Sequence, residues 1–344
     1  MAVMEPTTNP TEEVVTLEFI AREAGVSPST VSRILNGTAK VSEAKRLAVE
    51  QTIARFNFQP NALARGLALG QTLLIGVLTQ DIESPFYGEA LRGIEDALAP
   101  TPYIPLFVSG HWNLKDEVAR MSLLLGRRVD GVIVLTGRLS DQQLIDYAQR
   151  MPIVITGRNL QAPNLHSFGL DHCSGACLAT KHLIESGHTR IAYIAGPNEN
   201  PDAQQRLLGY KQALEEAGLP FDPELVAYSD FQASGGVLAT NQLVNSRQNF
   251  SAIFSANDQM AYGARLALYR LNIRVPEDMS LIGFDDLPSS SYAMPPLTSI
   301  RQPVYEIGKL AAHAMLKLLN KEPITEQLPP LELVVRESTR RLRN

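Results

Sequence analysis

The pattern of apolar and polar positions changes character near residue 70. Before that point the apolar residues recur at helical spacing. Ile20, Ala21 and Ala24 follow Thr16, a good N-cap, and Gly25 closes the segment. Val31, Ile34 and Leu35 line one face of a second helix, capped by Ser27. Pro28 stands at its first position, where a missing N–H costs nothing. Leu47, Val49, Ile53 and Phe56 mark a third helix that starts at Ser42, another cap residue, followed by Glu43. Residues 1–14, rich in Pro, Thr, Asn and Glu without periodicity, read as a disordered tail. Residues 58–70, "FQPNALARGLALG", predict a short helix over 62–69 that Gly66 weakens. Its leucines either wedge into a minor-groove base step or pack on the body or across a dimer.

After Gly70 the pattern becomes strand–helix alternation. Buried parallel strands are expected at 73–79, 104–108, 130–135 and 152–157, with helices at 87–99, 113–126 and 140–150. The rhythm restarts with strands at 190–196, 225–229, 251–258 and 280–286. Helices fall at 174–187, 203–217, 234–246, 259–271 and 304–320. The fold class is therefore an N-terminal all-α head followed by an α/β body of two doubly wound units.

The head is a helix, a tight Gly turn and a second short helix, which is the layout of a helix-turn-helix. The second helix turns Pro28, Ser29, Ser32 and Arg33 away from its apolar face. Small residues at its start admit the backbone to a major groove, and Arg33 one turn later can fork onto guanine O6 and N7. The same layout also serves any small three-helix core. Charge favours the DNA reading: residues 15–70 hold seven Lys/Arg against four Glu, an excess of three, whereas the whole chain is at −5, leaving −8 on the rest.

Two doubly wound units enclose a cleft at the carboxyl ends of their strands, where small ligands bind in this architecture. The first offers Asp81, Phe86, Tyr87 and Arg158. The second offers Arg206, Asn257, Asp258, Asp285 and Asp286. Aromatic faces with Asp, Asn and Arg at the edges suit a polyhydroxylated or nitrogenous ligand. A neutral sugar and, given two arginines, a sugar acid are the leading ligands, with a nucleoside third.

Catalytic signatures are missing: no G-x-S-x-G, H-E-x-x-H, Walker or post-strand G-x-G-x-x-G pattern occurs. Cys173 and Cys177, near His172 and His182, make a weak zinc pattern and read better as small buried thiols. No cofactor and no metal are expected. The other class to weigh is a sugar-binding protein or sugar-processing enzyme with an accessory helical head. The opening residues lack a signal-peptide pattern and the apolar runs are too short to span a membrane, so a cytoplasmic protein is expected.

The segments "TLEFIAREAGVSPSTVSRILNG", "VSEAKR" and "FNFQPNALARGLALG" resemble the head and hinge of the LacI/GalR family of bacterial transcription regulators. In the body, "IESPFYGEALRGIE", "SANDQMAYGA", "VPEDMSLIGFDD" and "PPLTSIRQP" continue the resemblance to about residue 340. It implies a helix-turn-helix domain at 15–60, a hinge helix at 61–70 and an effector-binding body at 71–344. That body resembles periplasmic binding proteins, with three crossovers and subdomains of 71–170 plus 303–328, and 172–300 plus 331–344. By the same resemblance Pro28, Ser29, Arg33 and Leu67 contact bases. Thr16, Ser27, Thr30, Ser32 and Asn36 contact phosphates. Phe86, Tyr87, Arg158, Arg206, Asn257, Asp258 and Asp285 hold the effector. One departure is Gly66-Leu67-Ala68, where many family hinges carry Ser before the Leu and a basic or polar residue after it. The implied protein is a repressor that binds a palindromic operator as a homodimer under control of a small molecule. The ending "ESTRRLRN" has no heptad tail, so a dimer is expected rather than a coiled-coil tetramer.

Overall fold

The computed structural model describes residues 15–35, 41–58 and 71–342. The chain divides into two compact units, Met1–Thr72 and Leu73–Asn344. The expected tail at 1–14, Asn36, and the expected hinge helix at 61–70 with Leu67 lie outside the described residues.

The head contains α1 (Leu17–Glu23), α2 (Pro28–Leu35) and α3 (Glu43–Arg55). The Thr16 hydroxyl accepts the Phe19 N–H at 3.2 Å, which satisfies one orphan donor at the start of α1. Ser27 does the same for Thr30 at 3.3 Å. Ser42 differs from expectation, because its side chain makes no cap hydrogen bond. Burial of Val49 fixes α3 instead, aided by Glu43 in its positively polarised first turn. Ile20, Ala21, Val31 and Val49 form the small core, with Ile34, Leu35, Ile53 and Phe56 packed around it. Phe19 meets Phe56 edge to face at 4.9 Å. Leu47, read as part of the apolar face, is exposed.

The body begins with a five-stranded parallel sheet. Its strands are β1 (Leu74–Thr79), β2 (Ile104–Ser109), β3 (Gly131–Leu135), β4 (Ile153–Thr156) and β5 (Leu165–Phe168), in the order β2-β1-β3-β4-β5. Helices α4 (Pro85–Leu98), α5 (Leu114–Gly126) and α6 (Asp141–Ala148) connect the first four strands. A second sheet has the order β11-β10-β9-β8-β6-β7. Its strands are β6 (Ile191–Ala195), β7 (Val226–Tyr228), β8 (Ala252–Ser255), β9 (Ser280–Asp285), β10 (Thr298–Arg301) and β11 (Glu332–Val334). Only the pairing of β10 with β11 is antiparallel. Helices α7 (His172–Glu185), α8 (Pro201–Glu216), α9 (Ala233–Asn245) and α10 (Asp258–Arg270) alternate with these strands.

The chain passes between the sheets three times: between Phe168 and His172, between Arg301 and Val304, and between Asn320 and Glu332. The second passage leads into α11 (Val304–Asn320), which returns to pack on α4 of the first half. Glycines allow that approach. A side chain at Gly93 would strike the Tyr305 carbonyl, and one at Gly308 would strike the Ala90 carbonyl. Each sheet has its own apolar filling: Ile75, Val77, Ile133 and Val154 in the first half, and Tyr193, Ile253, Phe254 and Phe284 in the second.

Candidate functional site

In the head, α2 buries Val31 and leaves Pro28, Ser29 and Arg33 exposed. Ser32 is half-buried. The Ser27 hydroxyl lies 2.8 Å from that of Thr30 and 3.0 Å from that of Ser29, so one cap residue orders three hydroxyls. Arg33 Nε donates to the Ser29 carbonyl at 3.2 Å, laying the guanidinium stem along the same surface. A basic side chain, three hydroxyls and a helix N-terminus thus share one exposed strip, which is the donor set that a polyanion with readable base edges requires.

In the body, a cavity of about 690 Å³ opens between the carboxyl ends of the two sheets. Its shape comes from strained turns. At or just after the strand ends, His111, Trp112, Thr136, Phe231, Asp285 and Asp286 all take positive φ, a region that non-glycine residues seldom occupy. Six of the seven predicted ligand residues line the cavity: Phe86, Tyr87 and Arg158 on the first half, and Arg206, Asn257 and Asp285 on the second.

Asp258, the seventh, does not line it and is fully buried. The reason is helical geometry. Asn257 is the N-cap of α10, accepting the Met260 N–H at 2.9 Å, and the next residue turns about 100° away from it. The Asp258 carboxylate accepts the Ser290 hydroxyl at 2.5 Å, the Ser299 hydroxyl at 2.6 Å and the Leu287 N–H at 2.8 Å. It therefore braces the loop from β9 to β10 from inside. Burial, and then the charge of Asp285, raise its pKa above the usual carboxylate range.

Arg206 is the centre of the second half. Only 5% exposed, it stacks over Phe284 at 4.1 Å, donates to the Ala256 carbonyl and lies 3.7 Å from Asp285. Gln302 holds the other side of the pair, its amide donating to Asp285 Oδ1 at 2.7 Å. Burial raises the Asp285 carboxyl, opposed by Arg206 and Gln302. Arg206 Nε also donates to His172 Nδ1 at 3.4 Å. Burial, reinforced by Arg206, keeps His172 well below its ordinary value, so the imidazole is neutral and its Nε2 faces Asp202 at 3.5 Å. Tyr87 is held well above its usual range, first by burial and then by Asp202 and Asp285, so it enters the cavity as a neutral phenol.

On the first half Arg158 donates to the carbonyls of Leu139 at 2.8 Å and Gly137 at 2.6 Å, and to Asp141 at 3.1 Å. It clamps the loop after β3 in place. Buried Glu117 fixes the same loop, accepting the N–H groups of Arg138 and Leu139.

The sequence reading passed over Asp202, Trp112 and Phe231, all of which line the cavity. Trp112 and Phe231 follow β2 and β7, so the strand-end rule that singled out Arg158 and Asp285 could have found them. Asp202 sits one turn before Arg206 in α8, on the same face. Among the described residues no group of three His, Cys, Asp or Glu could hold a metal ion, and both cysteines are free. Among the same residues no helix is long and apolar enough to cross a membrane.

A DNA-shaped head and a ligand-shaped cleft on one chain define a ligand-responsive DNA-binding regulator. Known proteins agree. Residues 16–61 match the model of bacterial regulatory proteins of the lacI family, and residues 180–339 match that of a periplasmic binding protein-like domain. Catabolite control protein A of Priestia megaterium is 34% identical over 330 residues, covering 95% of this chain and 99% of that one. The transcriptional regulator GalR of Escherichia coli K12 is 37% identical over 314 residues, covering 91% and 92%. A solved lac repressor dimer bound to operator and the anti-inducer ONPF superposes with a TM-score of 0.86 at 31% identity, covering 95% and 99%. A complex of the regulator CelR with cellobiose gives 0.70 at 34% identity, covering 94% and 99%. The chain belongs to the LacI family. It is a DNA-binding transcriptional regulator with an effector-binding domain, and not an enzyme.

Proposed function

We propose that this regulator is a repressor that binds a two-fold-symmetric operator as a homodimer and releases or holds it according to a neutral sugar in the cleft. The lac repressor structure is a dimer on its operator, which supports the same assembly here. A two-fold pair presents two α2 helices to two half-sites, with Arg33 forking onto guanine in each. Pro28 and Ser29 sit against the base edges. Thr16, Ser27, Thr30 and Ser32 reach the flanking phosphates.

The observation that carries the choice of ligand is how the cleft arginines are engaged. Arg158 is clamped to two carbonyls and Asp141, and Arg206 to Ala256, His172 and Asp285. Six acidic side chains line the cavity (Asp81, Asp141, Glu199, Asp202, Asp230, Asp285), Asp202 and Asp285 with pKa values raised by burial, against three arginines (Arg138, Arg158, Arg206), two of them already paired with Asp141 and Asp285. That balance repels an acidic ligand, so a sugar acid fits less well than a neutral sugar. Asp202 and Asp285 offer acceptors for hydroxyl groups, and Phe86 and Phe231 offer apolar faces. Selection of DNA from a random pool, at stated salt and with a panel of sugars, tests this reading. An inverted repeat should emerge, and one neutral sugar should shift its affinity. Recovery of no inverted repeat, or a response only to anionic ligands, contradicts it.

A further inference from the structure

We propose that the first-sheet side of the cavity is a second sugar-ring subsite built on Trp112, and that the effector is a disaccharide or longer glycan fragment rather than a single ring. The proposal rests on the neutral-sugar reading above.

Size is the first observation. Even at the loose packing of liquid water, about 30 Å³ per heavy atom, a hexose of about twelve heavy atoms fills only about half of the 690 Å³ cavity. The second observation is that polar anchors occur as two sets. Asp202, Arg206 and Asp285 stand on the second half, and Arg138 and Asp141 on the first.

The third is Trp112 itself. It is the chain's one tryptophan, yet it is left half-buried at the cavity wall. Its backbone is held at φ +53 beside His111 at φ +52, a strained pair that the surroundings must enforce. Gln80, fully buried, does so. Its Oε1 accepts the Trp112 N–H at 3.0 Å, and its Nε2 donates to the Thr136 carbonyl at 3.1 Å. The indole lies 6.5 Å from the Tyr87 ring, which itself meets Phe86 edge to face at 5.3 Å, so three aromatic side chains of the first half line the cavity together. Trp112 lines the cavity, and an indole ring is a platform for the apolar C–H face of a sugar.

Trp112 also reports on its own site, because all tryptophan fluorescence of the full chain comes from it. The test is a fluorescence titration with glucose, galactose and fructose against cellobiose, maltose, lactose, melibiose and sucrose. At least one disaccharide should change the emission at a concentration about tenfold or more below that of its component sugars. By thermal shift, Trp112→Ala should bring that disaccharide down to the monosaccharide level and leave the monosaccharide unchanged, and Trp112→Phe should restore most of the difference. Equal binding of single rings and disaccharides overturns the subsite while leaving the neutral-sugar reading intact. So does a Trp112→Ala variant that weakens both alike. Binding of none of the eight sugars overturns both.

Discussion

Helix α2 and the cleft use polar side chains in opposite ways. On α2 the polar residues Ser29 and Arg33 are exposed and close in sequence, and the Ser27 hydroxyl organises the first turn. In the cleft they are buried and far apart in sequence. Arg206 meets His172, Ala256 and Asp285, each from a different segment. The head keeps its polar groups at the surface, where DNA can reach them. The cleft must satisfy its groups before any ligand arrives, because a buried charge without a partner costs several kcal/mol. A substitution on α2 should therefore change DNA affinity with little loss of stability, whereas one in the cleft should cost both ligand response and stability.

The largest test of that contrast is Arg206→Ala. It leaves Asp285 buried without its cation and should destabilise the body by about 3–5 kcal/mol. Thermal unfolding with and without sugar should show the drop and no ligand-induced shift. Operator binding below the new melting point should persist. Loss of operator binding by the folded variant would break the separation of roles.

Next in size is Arg33→Ala. Base discrimination at one position of each half-site should fall by about 1–3 kcal/mol in competition against substituted operators, with the melting curve unchanged. A uniform loss across all sequences would make Arg33 a phosphate contact instead.

Smaller effects separate real caps from expected ones. Thr16→Ala should cost about 1 kcal/mol of head stability, while Ser42→Ala, which removes no cap bond, should cost a few tenths at most, both read by denaturant unfolding of the head. Equal costs would reverse that assignment.

The last signal is a slope with pH. The raised pKa of Asp258 means the folded chain keeps a proton that the unfolded chain has already lost above about pH 4. This group's contribution therefore falls as pH rises from the ordinary Asp value to the raised one, and stays lower beyond it. Asp258→Asn, which imitates the protonated acid, removes that fall. The melting temperature of the variant minus that of the wild type should increase between about pH 5 and pH 8.

Most of the architecture was legible because it follows periodicity. The eight predicted body strands and eight predicted body helices are present within a few residues of their expected bounds. The strands passed over were β5, β10 and β11, whose residues Leu165–Phe168, Thr298–Arg301 and Glu332–Val334 mix polar with apolar side chains and so form no apolar run. At the cleft, strand-end position picked out Arg158, Asn257 and Asp285, and Arg206 stood early on a helix, but position could not tell which of two neighbours faces inward. Asn257 and Asp258 are equally polar, and only the turn of α10 sends one to the cavity and the other into the core. Nor could the residue types reveal that both arginines are engaged by carbonyls and carboxylates, since those partners lie up to 79 positions away along the chain, as with Arg206 and Asp285. The proposal of a neutral sugar over a sugar acid rests on those partners.

The central claim is that one chain couples a DNA-reading head to a sugar-binding cleft. Titration of the selected operator into the full chain at fixed salt, with and without the sugar that moves Trp112 fluorescence, tests it most directly. The account predicts that the sugar shifts the operator Kd by about 5- to 150-fold, and that operator shifts the sugar Kd by the same factor. Superimposable isotherms with the cavity saturated would contradict it.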